Sequence, residues 1–365
     1  MAKLQFISCL LATAALLSGV AEAGGHGDRR PTYVKHPASI QKALDRAKPY
    51  DTIVVGAGTY EEHLTIRKDG ITLIGKDAIL VPPTKPGCGL PNDCLGLAGN
   101  LTVQLTAGIC IQGKDIDLLP YEKEHRKVQN VGRYVKDVTV EGFDVRGFDG
   151  LNIAVLGAKD TKVLRNTVSD GGQYGILTVG SKSTLIKENR VKSASLLFIA
   201  ICMDDKSDVH VTKNTISDYG IGLCVQTNGA KVTKNTVSNC CVGAFVDPGI
   251  DGARVTDNTI SNTNPICGFI PEVAVSGIAV AGAKNTKVSG NKITGITDNG
   301  NDKFVAAGIA LFDFGFGAVP DVASGNTITN NEVKGNDQDL LVATSGTDNK
   351  ITKNVCDTPA ELCKA

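Results

Sequence analysis

The chain contains no tryptophan, and aromatic residues make up only 5% of its 365 residues. So few aromatic faces argue against broad sugar-stacking platforms. Lys plus Arg balances Asp plus Glu at 38 each, which leaves no global field to gather nucleic acid or an anionic membrane. A neutral total still allows a local basic groove for an acidic sugar. Past residue 23 no apolar run reaches membrane-spanning length. C-x-x-C pairs and clustered histidines, the local marks of zinc, are missing, so the cysteines read as disulfides or buried thiols. Long helical patterns are missing too.

What is present is an asparagine on a near-constant beat. VLRNTVSD (163–170), LIKENRVKS (185–193), VTKNTISD (211–218), VTKNTVSN (232–239), VTDNTISN (255–262), VSGNKITG (288–295), ITNNEVKG (328–335) and ITKNVCDT (351–358) look like copies of one another. Their asparagines are Asn166, Asn189, Asn214, Asn235, Asn258, Asn291, Asn331 and Asn354, with gaps of 23, 25, 21, 23, 33, 40 and 23. A period in the low twenties marks a solenoid of short strands and tight turns; helix-pair repeats need about 33 residues or more. Alternation such as Val209-His210-Val211 puts two apolar side chains on one strand face. The asparagine suits a turn, and coils stacked about 4.8 Å apart would align the amides in a hydrogen-bonded ladder. A second strand follows each turn, as in YGILTVGS from Tyr174, FIAICM from Phe198 and IGLCVQT from Ile221. The expected fold class is all-β, a parallel β-helix.

The stretch ASIQKALDRAKPYDTIVVGAGTYEEHLTIRKDGITLIG (38–75) adds a short amphipathic helix, with Ile40, Ala43, Leu44 and Ala47 at helical spacing, Ser39 near its start and Pro49 ending it. Such a helix would cap the open first coil. This opening and the repeats together resemble right-handed parallel β-helix proteins of the pectate-lyase-like superfamily, over roughly residues 39–356. The resemblance implies a right-handed β-helix solenoid whose binding groove lies on the outer face of a strand sheet, walled by loops that interrupt the coils. That superfamily hosts many chemistries on one scaffold. Asp204-Asp205 matches the D-D block of polygalacturonases, but N-T-D, G-H-G and R-I-K blocks are absent. Gly58-Thr59-Tyr60-Glu61 matches the turn of pectin methylesterases without their Q-D-T-L, D-F-I-F-G or L-G-R-P-W blocks, and Asp247-Pro248-Gly249-Ile250 only approaches the D-P-H-E of alginate epimerases.

Residues 1–23 read as a secretory signal peptide, with Lys3, an apolar stretch and Ala21-Glu22-Ala23 before Gly24. Residues 24–37 read as a flexible leader and 38–365 as one β-helix domain with ladder repeats over 138–358. The expected location is extracellular. Removing Cys9 with the peptide leaves ten cysteines, an even number in an oxidising compartment. Cys88 with Cys94 and Cys356 with Cys363 bracket short loops that could close as disulfides; Cys110, Cys202, Cys224, Cys240, Cys241 and Cys267 cannot be paired from sequence. Asn100-Leu101-Thr102 is the one glycosylation sequon. Residues 118–133 form a polar excursion between coils.

Widened gaps hold the insertions 262–274 and 297–308, and long loops on a rigid scaffold are favoured places for binding residues. The candidate catalytic strip is Asp170, Tyr174, Asp204, Asp205, Asp218, Tyr219 and Asp247. Two carboxylates facing a sugar can act as acid and base or hold calcium, the one cofactor this pattern suggests. The plainer alternative is that these aspartates cap turns. His210, Lys187, Lys213 and Arg165 are outward candidates for a base or a uronate partner. The leading function is a secreted carbohydrate-active enzyme, a lyase, hydrolase or epimerase, acting on an acidic polysaccharide. The alternatives are a non-catalytic β-helix that binds glycan or serves at a surface, and a small-molecule enzyme on a borrowed scaffold. A monomer that engages a polysaccharide or another small-molecule substrate, and neither nucleic acid nor membrane, is expected.

Overall fold

The structure, a computed structural model, describes residues 30–84, 91–99, 104–121, 123–269, 275–298, 306–315 and 317–363. The segment read as a signal peptide, the sequon and Cys88 lie outside these residues, as do parts of both insertions. The chain winds into stacked coils whose strands pair in parallel with their equivalents one coil away. One sheet holds 12 short strands, starting with Thr32–Val34 and ending with Lys350–Thr352. The first of these falls within the segment read as a leader. A second sheet of 18 strands joins a short-strand face to a long-strand face. Arg190–Asp204 and Thr215–Val225 run through the corner between those faces without a break.

Register explains the alternation. Ile153, Ile176, Ile201, Leu223, Ala244, Ile278 and Ile309 pair successively along the long-strand face and fill the interior. Gly222, Gly243, Gly277 and Gly308 recur in the same strands because the coils approach too closely for a side chain. A Cβ on Gly277 would lie 2.5 Å from the Gly308 carbonyl oxygen and 2.6 Å from Ile293 Cγ2.

The asparagines form the expected ladder. Each amide nitrogen from Asn166 to Asn331 donates to the Oδ1 of the next, at 2.9–3.1 Å through to Asn354. The same Oδ1 also accepts the backbone N–H of the preceding ladder asparagine, as Asn235 Oδ1 does from Asn214. The left-handed turn conformation falls on the residue before the asparagine, as at Arg165, Glu188, Lys213 and Lys234. The asparagine supplies the side-chain bond and its neighbour supplies the turn. A shorter ladder, Asn326 to Asn349, runs at another corner.

Helix Ile40–Arg46 caps the first coil with Ile40 and Leu44 buried. Its start is held by the Glu62 carboxylate, which accepts from Ser39 Oγ and the Ile40 and Gln41 amides. Ser39 Oγ also accepts from the Lys42 amide, so a side-chain cap and a carboxylate both serve the exposed N–H groups.

Cys356 bonds Cys363, as the short tail loop suggests. The Cys88–Cys94 pairing is not formed, because Cys94 bonds Cys110 instead. Cys110 faces outward on the long-strand sheet, and the bridge fastens residues 91–99 against that face. Cys241 bonds Cys267 and ties residues 262–269, the described part of the first insertion, to its coil.

Candidate active site

The excursion after the first long strand folds back on the solenoid. Lys114–Leu118 and Val128–Arg133 form an antiparallel hairpin. Val128 packs with Leu97, Leu151, Leu156, Tyr174, Leu177, Val179 and Ile199 in a second apolar cluster outside the coil. This cover buries part of the outer face and sets the hairpin's tip, Glu124 and His125, against three successive coils.

His125 is the hub. Its Nδ1 lies 3.0 Å from the Tyr174 hydroxyl and its Nε2 lies 3.2 Å from Asp204 Oδ2. The imidazole also meets the Tyr174 ring edge-on, with centroids 5.6 Å apart. Lys127 Nζ stands 4.0 Å from the same Asp204 oxygen and is exposed. One coil further, Gln226 Nε2 donates to both Glu124 Oε2 at 2.9 Å and Asp247 Oδ2 at 2.8 Å. Burial, reinforced by the nearby Glu124 charge, raises the Asp247 carboxyl well above its ordinary range. Burial also raises the Tyr174 hydroxyl well above its usual value. A cavity of about 330 Å³ opens here, lined by Leu119, Lys123, Glu124, His125, Lys127 and Gln226. Another of about 330 Å³ includes Arg67, Lys114, Arg133 and Tyr134 in its lining. Arg67 and Arg133 there pair with Asp93 and Asp69.

The seven residues of the sequence-derived strip divide into three groups. Tyr174, Asp204 and Asp247 stand behind this cavity's lining, the first two against His125 and the third against Gln226. Asp205 points into the coil, where its Oδ1 accepts the Ser181 amide and its own amide donates to Thr227 Oγ1. Tyr219 lies in the main core. Asp170 and Asp218 occupy left-handed turn positions at φ 55° and 65°, taken by Asn239, Asn262, Gly295 and Gly335 in later coils. Asp170 there accepts from Ser193 Oγ and the Ala194 amide.

The outward candidates His210, Lys187, Lys213 and Arg165 belong to the 12-stranded sheet and its turns, away from the hairpin. His210 Nε2 meets Thr233 Oγ1 at 2.9 Å, and Arg165 bridges Glu141 and Glu188.

Sequence reasoning missed His125, Glu124, Lys127 and Gln226. Three of them sit in an excursion with no repeat register, so nothing local aligned them with the coils. The two cysteines beneath Glu124 carried a usable signal, since Cys202 and Cys224 are one coil period apart and are cross-strand partners. Their sulfurs and a Glu124 carboxylate oxygen all lie within 4.8 Å of one another. Burial pushes the Cys202 thiol up to about 12 and the Cys224 thiol well above its ordinary value.

The family described as right handed beta helix region matches residues 199–359. The chain is a right-handed parallel β-helix. A second family, described as periplasmic copper-binding protein (NosD), matches residues 98–268 of the β-helix. Among solved structures, an alginate lyase from Paenibacillus sp. str. FPU-7 is 14% identical, covers 85% of this chain and 96% of its own, and superposes with a TM-score of 0.51. DFA-IIIase from Arthrobacter chlorophenolicus A6 is 13% identical over 85% of this chain and 84% of its own, with a TM-score of 0.49. A family 28 exopolygalacturonase from Yersinia enterocolitica is 12% identical over 88% and 76%, also at 0.49. At these identities the likeness concerns the fold. No curated protein matches the β-helix. No helix among the described residues is long and apolar enough to cross a membrane.

Proposed function

We propose that this β-helix is a secreted carbohydrate-active enzyme that acts on an acidic polysaccharide by moving the proton next to the uronate carboxylate, as a lyase or an epimerase does. The observation that carries this reading is the chain Asp204–His125–Tyr174 beside Lys127 at the cavity under the hairpin tip. With Asp204 as a carboxylate, which can only accept, His125 Nε2 donates to it. His125 Nδ1 is then the acceptor for the Tyr174 hydroxyl. Asp204 thus fixes the imidazole's tautomer and orientation, and His125 is the group we assign to the proton transfer.

Abstraction at the uronate C5 also needs a cation to neutralise the adjacent carboxylate as charge develops. Lys127 and Lys123 line the cavity and can meet that carboxylate. The alginate lyase named above acts on a uronate polymer, which agrees with this substrate class. Secretion rests on the leading segment of residues 1–23.

The test is incubation of the folded protein with alginate, polygalacturonate and related polymers, followed by product analysis. Unsaturated uronate ends indicate elimination, and altered C5 configuration without cleavage indicates epimerisation. New reducing ends without unsaturation would replace the proton-transfer reading with hydrolysis. Absence of any product would overturn the enzymatic reading in favour of a binding role.

A further inference from the structure

We propose that Cys202, Cys224 and Glu124, with Asp247 behind them, form a site for one thiophilic metal ion, zinc(II) or copper(I). Parallel register sets the two cysteines side by side on the outer face of adjacent coils, and their sulfurs are 2.6 Å apart. That separation is longer than a disulfide bond of about 2.03–2.05 Å and shorter than ordinary contact between unbonded sulfurs. Either a covalent bond or a shared ion relieves it.

The surrounding groups favour the ion. Glu124 hangs over the sulfurs from the hairpin tip. Asp247 Oδ1 lies 3.9 Å from Cys224 Sγ, and Gln226 holds both carboxyl groups through one amide nitrogen. Four groups that become anionic on losing a proton therefore meet in one largely buried place, with Lys127 offsetting part of the charge at its edge. A disulfide would consume the two thiols and leave the two carboxyl groups crowded as before. A cation held by Glu124 and the two sulfurs satisfies those three together, with Asp247 beside Cys224. Gln226 Oε1, buried and without a hydrogen bond, marks the same place as incompletely paired.

Ligand chemistry selects the ion. Calcium and magnesium prefer all-oxygen sets, whereas thiolates favour zinc and copper(I). Two sulfurs bound tetrahedrally at about 2.3 Å from zinc sit roughly 3.8 Å apart, so the cysteine side chains must rotate apart as the ion enters. The sheet fixes their Cα atoms meanwhile. The site does not depend on the carbohydrate reading.

The full-length folded protein, reduced and then freed of reductant, should be titrated with cobalt(II) as a spectroscopic stand-in for zinc. Expected is one equivalent bound with a thiolate-to-cobalt absorption band, displaced by zinc(II). A parallel titration with copper(I) against a chelator of known affinity shows which ion binds more tightly. Cys202→Ser and Cys224→Ser should abolish the band. Glu124→Gln, in the covering hairpin and so the gentler change to folding, should weaken binding by roughly tenfold or more. No band from protein with both thiols free, or an unaltered affinity in Glu124→Gln and Cys224→Ser alike, would overturn the proposal. So would a native Cys202–Cys224 disulfide in a non-reducing peptide map. None of these readouts involves a sugar, so failure here leaves the proposed activity untouched.

Discussion

Asp204 and Asp205, adjacent in sequence, leave the end of one strand in opposite directions. The Asp204 carboxylate meets His125 outside the coil, and the Asp205 carboxylate accepts the Ser181 amide inside it. Asp205 belongs to a stack in which Ser181 Oγ accepts from the Ala158 amide and Thr227 Oγ1 accepts from the Asp205 amide. This follows the logic of the asparagine ladder, since a side-chain oxygen of one coil satisfies a backbone N–H of its neighbour. An acid serves there at a cost, because its second oxygen is buried without a hydrogen bond.

That cost sets a pH dependence. Burial, offset in part by the Ser181 amide, raises the Asp205 carboxyl from 3.8 to about 7. Between those values the folded chain keeps a proton that the unfolded chain has released. The stability given by the neutral acid is therefore full below about pH 4 and declines as pH rises toward 7. The gap amounts to about 4 kcal/mol at most. Asp205→Asn cannot ionise, so its stability relative to wild type should rise across this window. Denaturant midpoints of both proteins at low and neutral pH check this; a difference that stays constant contradicts it.

The ladder makes a positional prediction. Asn235 accepts from the Asn214 backbone and side-chain nitrogens and donates to Val211 O and Asn258 Oδ1. Asn235→Ala leaves buried partners unpaired, which should cost about 1–3 kcal/mol. Asn354 ends the stack and donates only to Ile328 O. Asn354→Ala should cost less, and thermal melts that rank the two in reverse would contradict the ladder account.

The Cys94–Cys110 bridge closes a loop with a sequence separation of 16. On the chain-entropy model such a loop is worth about 3 kcal/mol. Cys110→Ser should lower the melting temperature and loosen the cover that presents His125. Non-reducing peptide mapping should link Cys94 to Cys110; a Cys88–Cys94 linkage would contradict the structure.

Much of the fold was legible because a solenoid repeats its physics. One asparagine per coil, apolar residues at period two and a glycine where coils crowd together are local signals that each coil restates. Period two also separates Asp204 from Asp205, since counting outward from inward-facing Ile201 and Met203 puts Asp204 outside and its successor inside. The candidate site was half legible. Its strand residues, Tyr174, Asp204 and Asp247, carry coil register, whereas Glu124, His125 and Lys127 come from a hairpin placed only by tertiary packing. The Cys88–Cys94 expectation failed for a related reason: closeness in sequence favoured a short loop, while the sheet offered Cys110 on the face that residues 91–99 cover.

The most direct test compares Asp204→Asn with Asp205→Asn in turnover of an acidic polysaccharide, with melting curves for both. Loss of the carboxylate that positions His125 should lower turnover by about 10²-fold or more in an Asp204→Asn protein that still melts cooperatively. Asp205→Asn should keep wild-type turnover. Wild-type turnover by Asp204→Asn would contradict the account.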